Sequence, residues 1–432
     1  MSRRAGAVAI AVLLTMLLTG LLTGLSGARG AGAAPGDDPF MARQWALQQI
    51  GAQAAWATAR GGGITIGVVD TGVDLGHPDL SGKIAGSADC IGKPCTDGGG
   101  QDANGHGTLV SGIAAAATGN GRGVAGVAPD ARLLVAKVLA SNGEGRIEDI
   151  NAGIRWVVDR GAKVVNLSLG DPQFLVTSLL GTPLRTGIEY AWSRGAVPVL
   201  ASGNYSTGIA ELGSQNYGAL NAIVVGATDR AGGVASYSSS IGNAKWGAVA
   251  PGGAGTGGAD NNVISTFLDG EYASTAGTSM AAPHVSGALA VLLSQGLSPA
   301  AAVQRLLGTL DRISCGQGCQ GRLNLAAAAG SRPSPPPAPV ATTPPPTAAR
   351  PARTSTTAAP TSTTPSPPAT PAPAPTVLPD PDELAAGRAR STGEPGSRSP
   401  VPIAGAALLL VGVGAALATM VVRIRFTGAG GW

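Results

Sequence analysis

Histidine is scarce in this chain. Its 432 residues include three, His77, His106 and His284, so chemistry that needs an imidazole near neutral pH has few places to find one. Net basic charge is scarce too, once position is considered. The formal charge is +4, but residues 331–432 hold eight Arg and four acids, so residues 1–330 are neutral. Without Arg3, Arg4 and Arg29 that part would carry −3. It offers no basic face, which removes nucleic acid from the expected partners. Cysteine is limited to two close pairs, Cys90/Cys95 and Cys315/Cys319. A zinc site wants C-x2-C spacing with histidine nearby, so no metal is expected on these thiols. In an exported chain they are expected as two local disulfides, although three pairings are open and sequence does not choose among them. Loops so short would pin local turns more than they stabilise a whole domain. No internal repeat stands out.

What is present divides the chain by composition. Arg3 and Arg4 precede an apolar run, AVAIAVLLTMLLTGLLTGLSG, and small residues end near Ala31-Gly32-Ala33. Residues 1–34 therefore read as a signal peptide. Residues 401–422 (VPIAGAALLLVGVGAALATMVV) carry no charge and are long enough to cross a bilayer as one helix. Arg423 and Arg425 follow, which places the tail, 423–432, in the cytoplasm and the rest of the chain outside. Between lies a stretch, 331–400, rich in Pro, Ala, Ser and Thr, whose composition predicts a disordered linker. Extended at roughly 3.1 Å per residue, such a stretch would reach on the order of 200 Å. The expected location is the cell membrane, single-pass, with the folded domain extracellular.

That domain, 35–330, is long enough to bury a sizeable core. ITIGVVD (64–70), RLLVAKVL (132–139), KVVNLSL (163–169), AVPVLAS (196–202) and NAIVVGAT (221–228) are near-continuous apolar runs rich in β-branched residues. Strands buried on both faces read this way. Helical patterns at 147–161 and 186–195, each closed by Gly, alternate with them. The alternation predicts an α/β fold with a mostly parallel sheet and helices on both faces. Ligands in such folds bind beyond the carboxyl ends of the strands.

Candidate chemistry collects at those ends. Nucleophilic acyl transfer by serine needs a base, a carboxylate to orient it and donors for the oxyanion. His106 lies in NGHGTLVSGIAAAA, where flanking glycines admit close neighbours; His77 sits in a Pro-bounded turn and His284 inside a helix pattern. His106 is thus the expected base. Asp70 ends the run ITIGVVD, and a carboxylate buried there needs a partner such as an imidazole N–H. Ser279 follows Gly277-Thr278 at the start of an apolar helix, whose free N–H groups favour developing negative charge. Asn204, after the run at 196–202, can donate an amide to an oxyanion. Taken singly, each has a plainer reading: a turn aspartate, a capping serine, a turn asparagine.

The segments together resemble the subtilase family. VVDTGVDLGHPDL, NGHGTLVSGI, NLSLG, ASGN and GTSMAAPHVSG occur in the order Asp, His, Asn, Ser, and the resemblance covers about residues 45–328. The sister sedolisins use a glutamate base, which His106 argues against. The resemblance implies a subtilisin-like three-layer fold and a serine endopeptidase acting on polypeptides. Asp70, His106 and Ser279 would be its triad and Asn204 its oxyanion donor, with no cofactor needed for the chemistry. It further implies that Ser168-Leu169-Gly170 and Ala201-Ser202-Gly203 flank the primary specificity pocket. Gly143-Glu144-Gly145 would offer a backbone edge to an extended substrate, and Glu144 would favour basic substrate residues. Asp79 matches a family calcium ligand, with the loop Thr118–Val124 as its partner.

Leu109 replaces a second histidine common in the family's base motif, and Tyr205 follows Asn204 where a small or acidic residue is usual. Only a short stretch separates the expected signal cleavage from Trp45, where the domain is expected to begin. That leaves no room for the folding pro-domain many secreted subtilases carry. The short start, HGTLV, the Pro-rich stretch and the terminal apolar run resemble the actinobacterial mycosins of type VII secretion. Secretion-system components join polypeptides and the membrane as expected partners on that reading. A general surface protease and a non-catalytic scaffold on a protease fold are the alternatives.

Overall fold

The computed structural model describes residues 38–169, 184–204, 218–331 and 375–378. The expected signal peptide, the apolar run 401–422 and the tail 423–432 lie outside the described residues. Among the described residues no helix is long and apolar enough to cross a membrane.

Eight strands form one sheet: β1 (Thr65–Asp70), β2 (Ile84–Asp89), β3 (Thr96–Asp97), β4 (Arg132–Lys137), β5 (Val164–Leu167), β6 (Val197–Ala201), β7 (Ile223–Thr228) and β8 (Trp246–Pro251). Their order is β3-β2-β4-β1-β5-β6-β7-β8. Every pairing is parallel except that of β2 with β3. The five apolar runs of the sequence become β4, β1, β5, β6 and β7, five neighbours at the centre. They read clearly because both their faces are covered. β2 does not read as a strand, because its run IAGSAD is short of large apolar residues and its register shifts between Ile84 and Gly86.

Helices cover both faces. The longer ones are α1 (His106–Ala115), α2 (Ile147–Asp159), α3 (Arg185–Ser193), α4 (Thr278–Ser294) and α5 (Pro299–Gly308). Val110 and Ile113 of α1 and Val285 and Leu289 of α4 join one core cluster, while Ile150, Ile154 and Val157 of α2 and Ile188 of α3 join another. The two clusters divide between the sheet's faces, as the alternating pattern predicts. α4 is buried from Thr278 to Leu293, as expected of a helix that is apolar or small on every side. The described residues thus form the subtilisin-like α/β arrangement. Both cysteine pairs are local disulfides, Cys90–Cys95 and Cys315–Cys319.

A small antiparallel sheet completes the frame: β9 (Val263–Thr266), β10 (Tyr272–Thr275) and β11 (Thr376–Val377), in the order β11-β10-β9. β11 corrects one expectation. It belongs to the stretch 331–400, read from composition as linker throughout. Four of those residues, Pro375–Leu378, are ordered against β10, and Leu378 is 8% exposed within the core. Composition averages over the stretch and misses one β-prone tripeptide, Thr-Val-Leu, that pairs with a strand edge.

Candidate active site

β1 delivers Asp70 at its carboxyl end, fully buried. One oxygen, Oδ1, accepts from Thr71 N at 2.7 Å and faces His106 Nδ1 at 2.7 Å. Its other oxygen, Oδ2, is buried without a hydrogen bond among the described residues. This carboxylate therefore fixes the imidazole's tautomer, with the proton on Nδ1 and Nε2 left to act as base.

The loop before α1 explains how His106 gets there. Gly105 has φ +98°, and a Cβ on it would lie 2.2 Å from the Phe267 ring. A Cβ on Gly107 would lie 2.1 Å from the Gly72 carbonyl. Both positions need glycine, one for its backbone and both for space. Asp102, which the sequence reading passed over, gathers Asn104 N, Gly105 N, Thr108 N and Thr108 Oγ1. Burial works to raise the Asp102 pKa, but these hydrogen bonds outweigh it and hold the carboxyl below its ordinary value. The only signal for it was the Asp-x-Asn-Gly turn pattern ahead of His106. His106 titrates above its ordinary value. Burial pushes it down, but the Asp70 charge and hydrogen bond, with Asp102 beyond, push it up by more.

Ser279 occupies the first turn of α4. Pro283, four residues on, has no N–H to give the Ser279 carbonyl, and the Ser168 hydroxyl donates to that carbonyl instead at 2.8 Å. In return Ser279 Oγ donates to Ser168 O at 3.2 Å. Ser279 and His106 line the same cleft without a hydrogen bond between them among the described residues. Resting enzymes often show this looseness, and a χ1 rotation turns the hydroxyl from one acceptor to another. Asn204 Oδ1 accepts from both Thr278 N (2.9 Å) and Thr278 Oγ1 (3.0 Å). That fixes the amide's orientation and frees Nδ2 to donate in the cleft that Asn204 lines.

The cleft measures about 1170 Å³. Gly143, Glu144 and Gly145 line one wall, on a hairpin closed by the Leu139–Gly145 bridge. Ser168 and Leu169 line it beside Ser279, while Gly170 and Tyr205 lie outside the described residues. Leu109, the family departure, also lines it. Ala201, Ser202 and Gly203 do not reach the wall among the described residues. Ala201 and Ser202 are buried, Ser202 Oγ donates to Ser239 O, and Gly203 N donates to Thr278 Oγ1. Gly203 thus holds the Thr278 hydroxyl that Asn204 also bonds. Ile91, Asp149 and Pro375 also line the cleft, and no motif pointed to them. The other histidines bond to backbone. His77 ring nitrogens meet Glu271 O and Asp79 N. His284 Nδ1 meets Met280 O, and burial drops its pKa to about 4.

Asp79 lies away from this row. Its oxygens accept from Asn120 Nδ2 (2.7 Å) and Val124 N (2.8 Å), in the expected loop. Asp38 joins it, accepting from Thr118 Oγ1, Gly119 N and Asn120 N. Both acids are buried, and neither has an ion-pair partner among the described residues. Burial first, and the Asp38 charge with it, raise the Asp79 pKa to about 6 against the pull of its hydrogen bonds. Two buried acids of like charge, met by neutral donors from the loop 118–124, supply the carboxylate oxygens that a hard cation such as calcium prefers. Among the described residues no cluster of three or more His, Cys, Asp or Glu occurs, so carbonyl and amide oxygens would have to complete the shell.

A serine hydroxyl on a helix N-terminus, a carboxylate-held imidazole and an open groove suit a serine endopeptidase. The sequence profile of the subtilase family, Peptidase S8, matches residues 61–322. Thermitase of Thermoactinomyces vulgaris is 40% identical over 299 residues, 67% of this chain and 97% of thermitase. Subtilisin Savinase of Lederbergia lenta is 41% identical over 256 residues, 57% of this chain and 83% of Savinase. Among solved structures, a protease of Pseudoalteromonas arctica superposes with a TM-score of 0.58 at 29% identity, covering 68% of this chain and 98% of that one. The chain belongs to the subtilase family.

Proposed function

We propose that Asp70, His106 and Ser279 are the catalytic triad of an endopeptidase that works outside the cytoplasmic membrane, with Asn204 as oxyanion donor. The 2.7 Å pair between Asp70 Oδ1 and His106 Nδ1, in the same cleft as Ser279, carries this reading. Ser279 Oγ turns from Ser168 O and attacks the substrate carbonyl while His106 Nε2 takes its proton. Asn204 Nδ2 and the Ser279 N–H hold the oxygen that becomes negative. Collapse expels the amine, which receives the proton from His106, and leaves an acyl group on Ser279. Water then attacks the ester with His106 again as base, releasing the acid. Ser168 and Leu169 flank the first acyl-side residue, and the Gly143–Gly145 edge pairs with the chain before it. Glu144, exposed on that edge, favours basic residues there.

Calcium is not needed for any of these steps. Asp38, Asp79 and Asn120 would hold it, and it would neutralise two buried acids and tie the Asp38 segment to the loop 118–124.

The apolar run 401–422 with Arg423 and Arg425 supports anchoring by one helix, domain outward. The same run and the Pro-rich stretch support a mycosin-like role beside a type VII secretion system, with its components as partners. A fluorophosphonate probe should label the wild-type protein and not Ser279→Ala. An unlabelled wild type would move the chain to the scaffold reading. Comparing cleaved protein termini between cells with wild type and with Ser279→Ala would name the substrates. A cleavage profile without basic preference would remove the Glu144 assignment.

A further inference from the structure

β10 has two edges. One pairs with β9. The other pairs with β11 in antiparallel register, Ala273 beside Val377 and Ser274 beside Thr376. The Leu378 N–H donates to Tyr272 O at 2.8 Å. Side chains alternate as a strand requires, with Val377 46% exposed and Leu378 8% exposed in the core. Pro379 follows in sequence, which biases Leu378 toward extended backbone. Pro375, at the strand's start, lines the catalytic cleft together with Thr275, Ala276 and Gly277.

Direction matters here. β10 runs toward Ser279, so β11, antiparallel to it, runs away from Ser279. Gly143–Gly145, Ser279, Gly277, Ala276 and Thr275 line one cleft. On the proposed reading, a substrate that enters along Gly143–Gly145 and crosses Ser279 would leave past Gly277, Ala276 and Thr275 and run along β10 in the sense of β11. The leaving portion of a long substrate and Pro375–Leu378 thus require the same strand edge.

We propose that the outer edge of β10 is a second extended-peptide site, on the leaving-group side of the cleft, filled in cis by Pro375–Leu378 as an internal competitor. Its ligand is an extended peptide with an apolar side chain where Leu378 sits. Main-chain bonds supply affinity and the Leu378 pocket supplies selectivity. A tethered segment meets this edge at an effective concentration in the millimolar range, so weak pairing suffices for partial occupancy. This inference rests on Ser279 being the nucleophile, which sets which end of the cleft is the leaving side.

The test uses the full chain with Leu378→Asp, with Leu378→Gly as a milder second variant and Val377→Ser, at the exposed position, as control. Two substrates are compared: a quenched peptide with several residues beyond the scissile bond, and a peptide nitroanilide with none. Leu378→Asp should lower KM for the quenched peptide by at least about threefold and leave the nitroanilide rate unchanged. Val377→Ser should match wild type. Free peptide of sequence Ala374–Pro379 should restore the higher KM to the variant. Equal KM values for wild type and both Leu378 variants would overturn the proposal, as would a Leu378 amide that exchanges with solvent at the unprotected rate. If wild type cleaves neither substrate, the protease reading has failed. Exchange at Leu378, measured in Ser279→Ala, then still decides whether the edge is filled.

Discussion

Asp70 and Asp79 are both fully buried, yet they keep different company. Asp70 faces one imidazole at 2.7 Å. Asp79 faces an amide, a backbone N–H and a second acid, Asp38. Burial makes each carboxylate costly as a free charge. The difference lies in what offsets that cost. At Asp70 a titratable base does so, and the pair becomes a tool for moving protons. At Asp79 neutral dipoles do part of it and a like charge opposes them, a residual cost that the proposed calcium would relieve. A buried acid thus acquires its role from the loop that folds onto it.

The largest effect should come from Asp70→Asn. It removes the charge that holds the His106 tautomer, and kcat should fall about 10⁴-fold while the fold persists. A stopped assay on a nitroanilide substrate, with a thermal melt beside it, checks this. A kcat within tenfold of wild type would erase the distinction between the two acids. Next in size is Asn204→Ala. Loss of one oxyanion donor should reduce kcat about 10²–10³-fold with little change in KM.

Asp79→Asn should act on the other side of the comparison. It should leave kcat within a few-fold and cost about 1–3 kcal/mol of stability. Chelation of wild type should lower Tm, and Asp79→Asn should abolish that sensitivity. A Tm unmoved by chelator would remove calcium from the Asp38–Asp79 seat. The smallest effect concerns pH. The proposed mechanism needs neutral His106, whose pKa is raised from the ordinary 6.5. kcat/KM should therefore fall with acidification through a midpoint above that value, and Asp70→Asn should move the midpoint down. Stability runs the other way. The imidazolium–carboxylate pair stabilises the fold most fully below the ordinary pKa, and its contribution is lost as pH rises through the raised one. Parallel pH profiles of activity and of chemical unfolding distinguish the two.

Much of the candidate row was legible in the sequence. Asp70, His106, Asn204 and Ser279 each sit where a strand ends or a helix begins, and local patterns mark such junctions strongly. The five central strands read for a related reason, since burial on both faces writes itself into an unbroken apolar run. Ala201, Ser202 and Gly203 show the limit. The family resemblance implies that they flank the specificity pocket, and among the described residues they lie behind the cleft wall, with Ser202 and Gly203 bonded to Ser239 and Thr278. Asp102 was missed because its hydrogen bonds go to a turn and a helix start, Asn104, Gly105 and Thr108, that look ordinary in sequence.

The sequence alone determined the parallel core, the residue types of the acyl-transfer row and the glycines that let His106 approach Asp70, because each depends on short-range pattern and sterics. Only the tertiary structure decided that Asp38 meets Asp79, that Ser168 rather than Pro283 satisfies the Ser279 carbonyl, and that Pro375–Leu378 takes the edge of β10. Those pairings join segments far apart in the chain, and a strand edge or a buried charge accepts whatever suitable partner the fold brings to it. No periodicity within the short segments themselves encodes that choice.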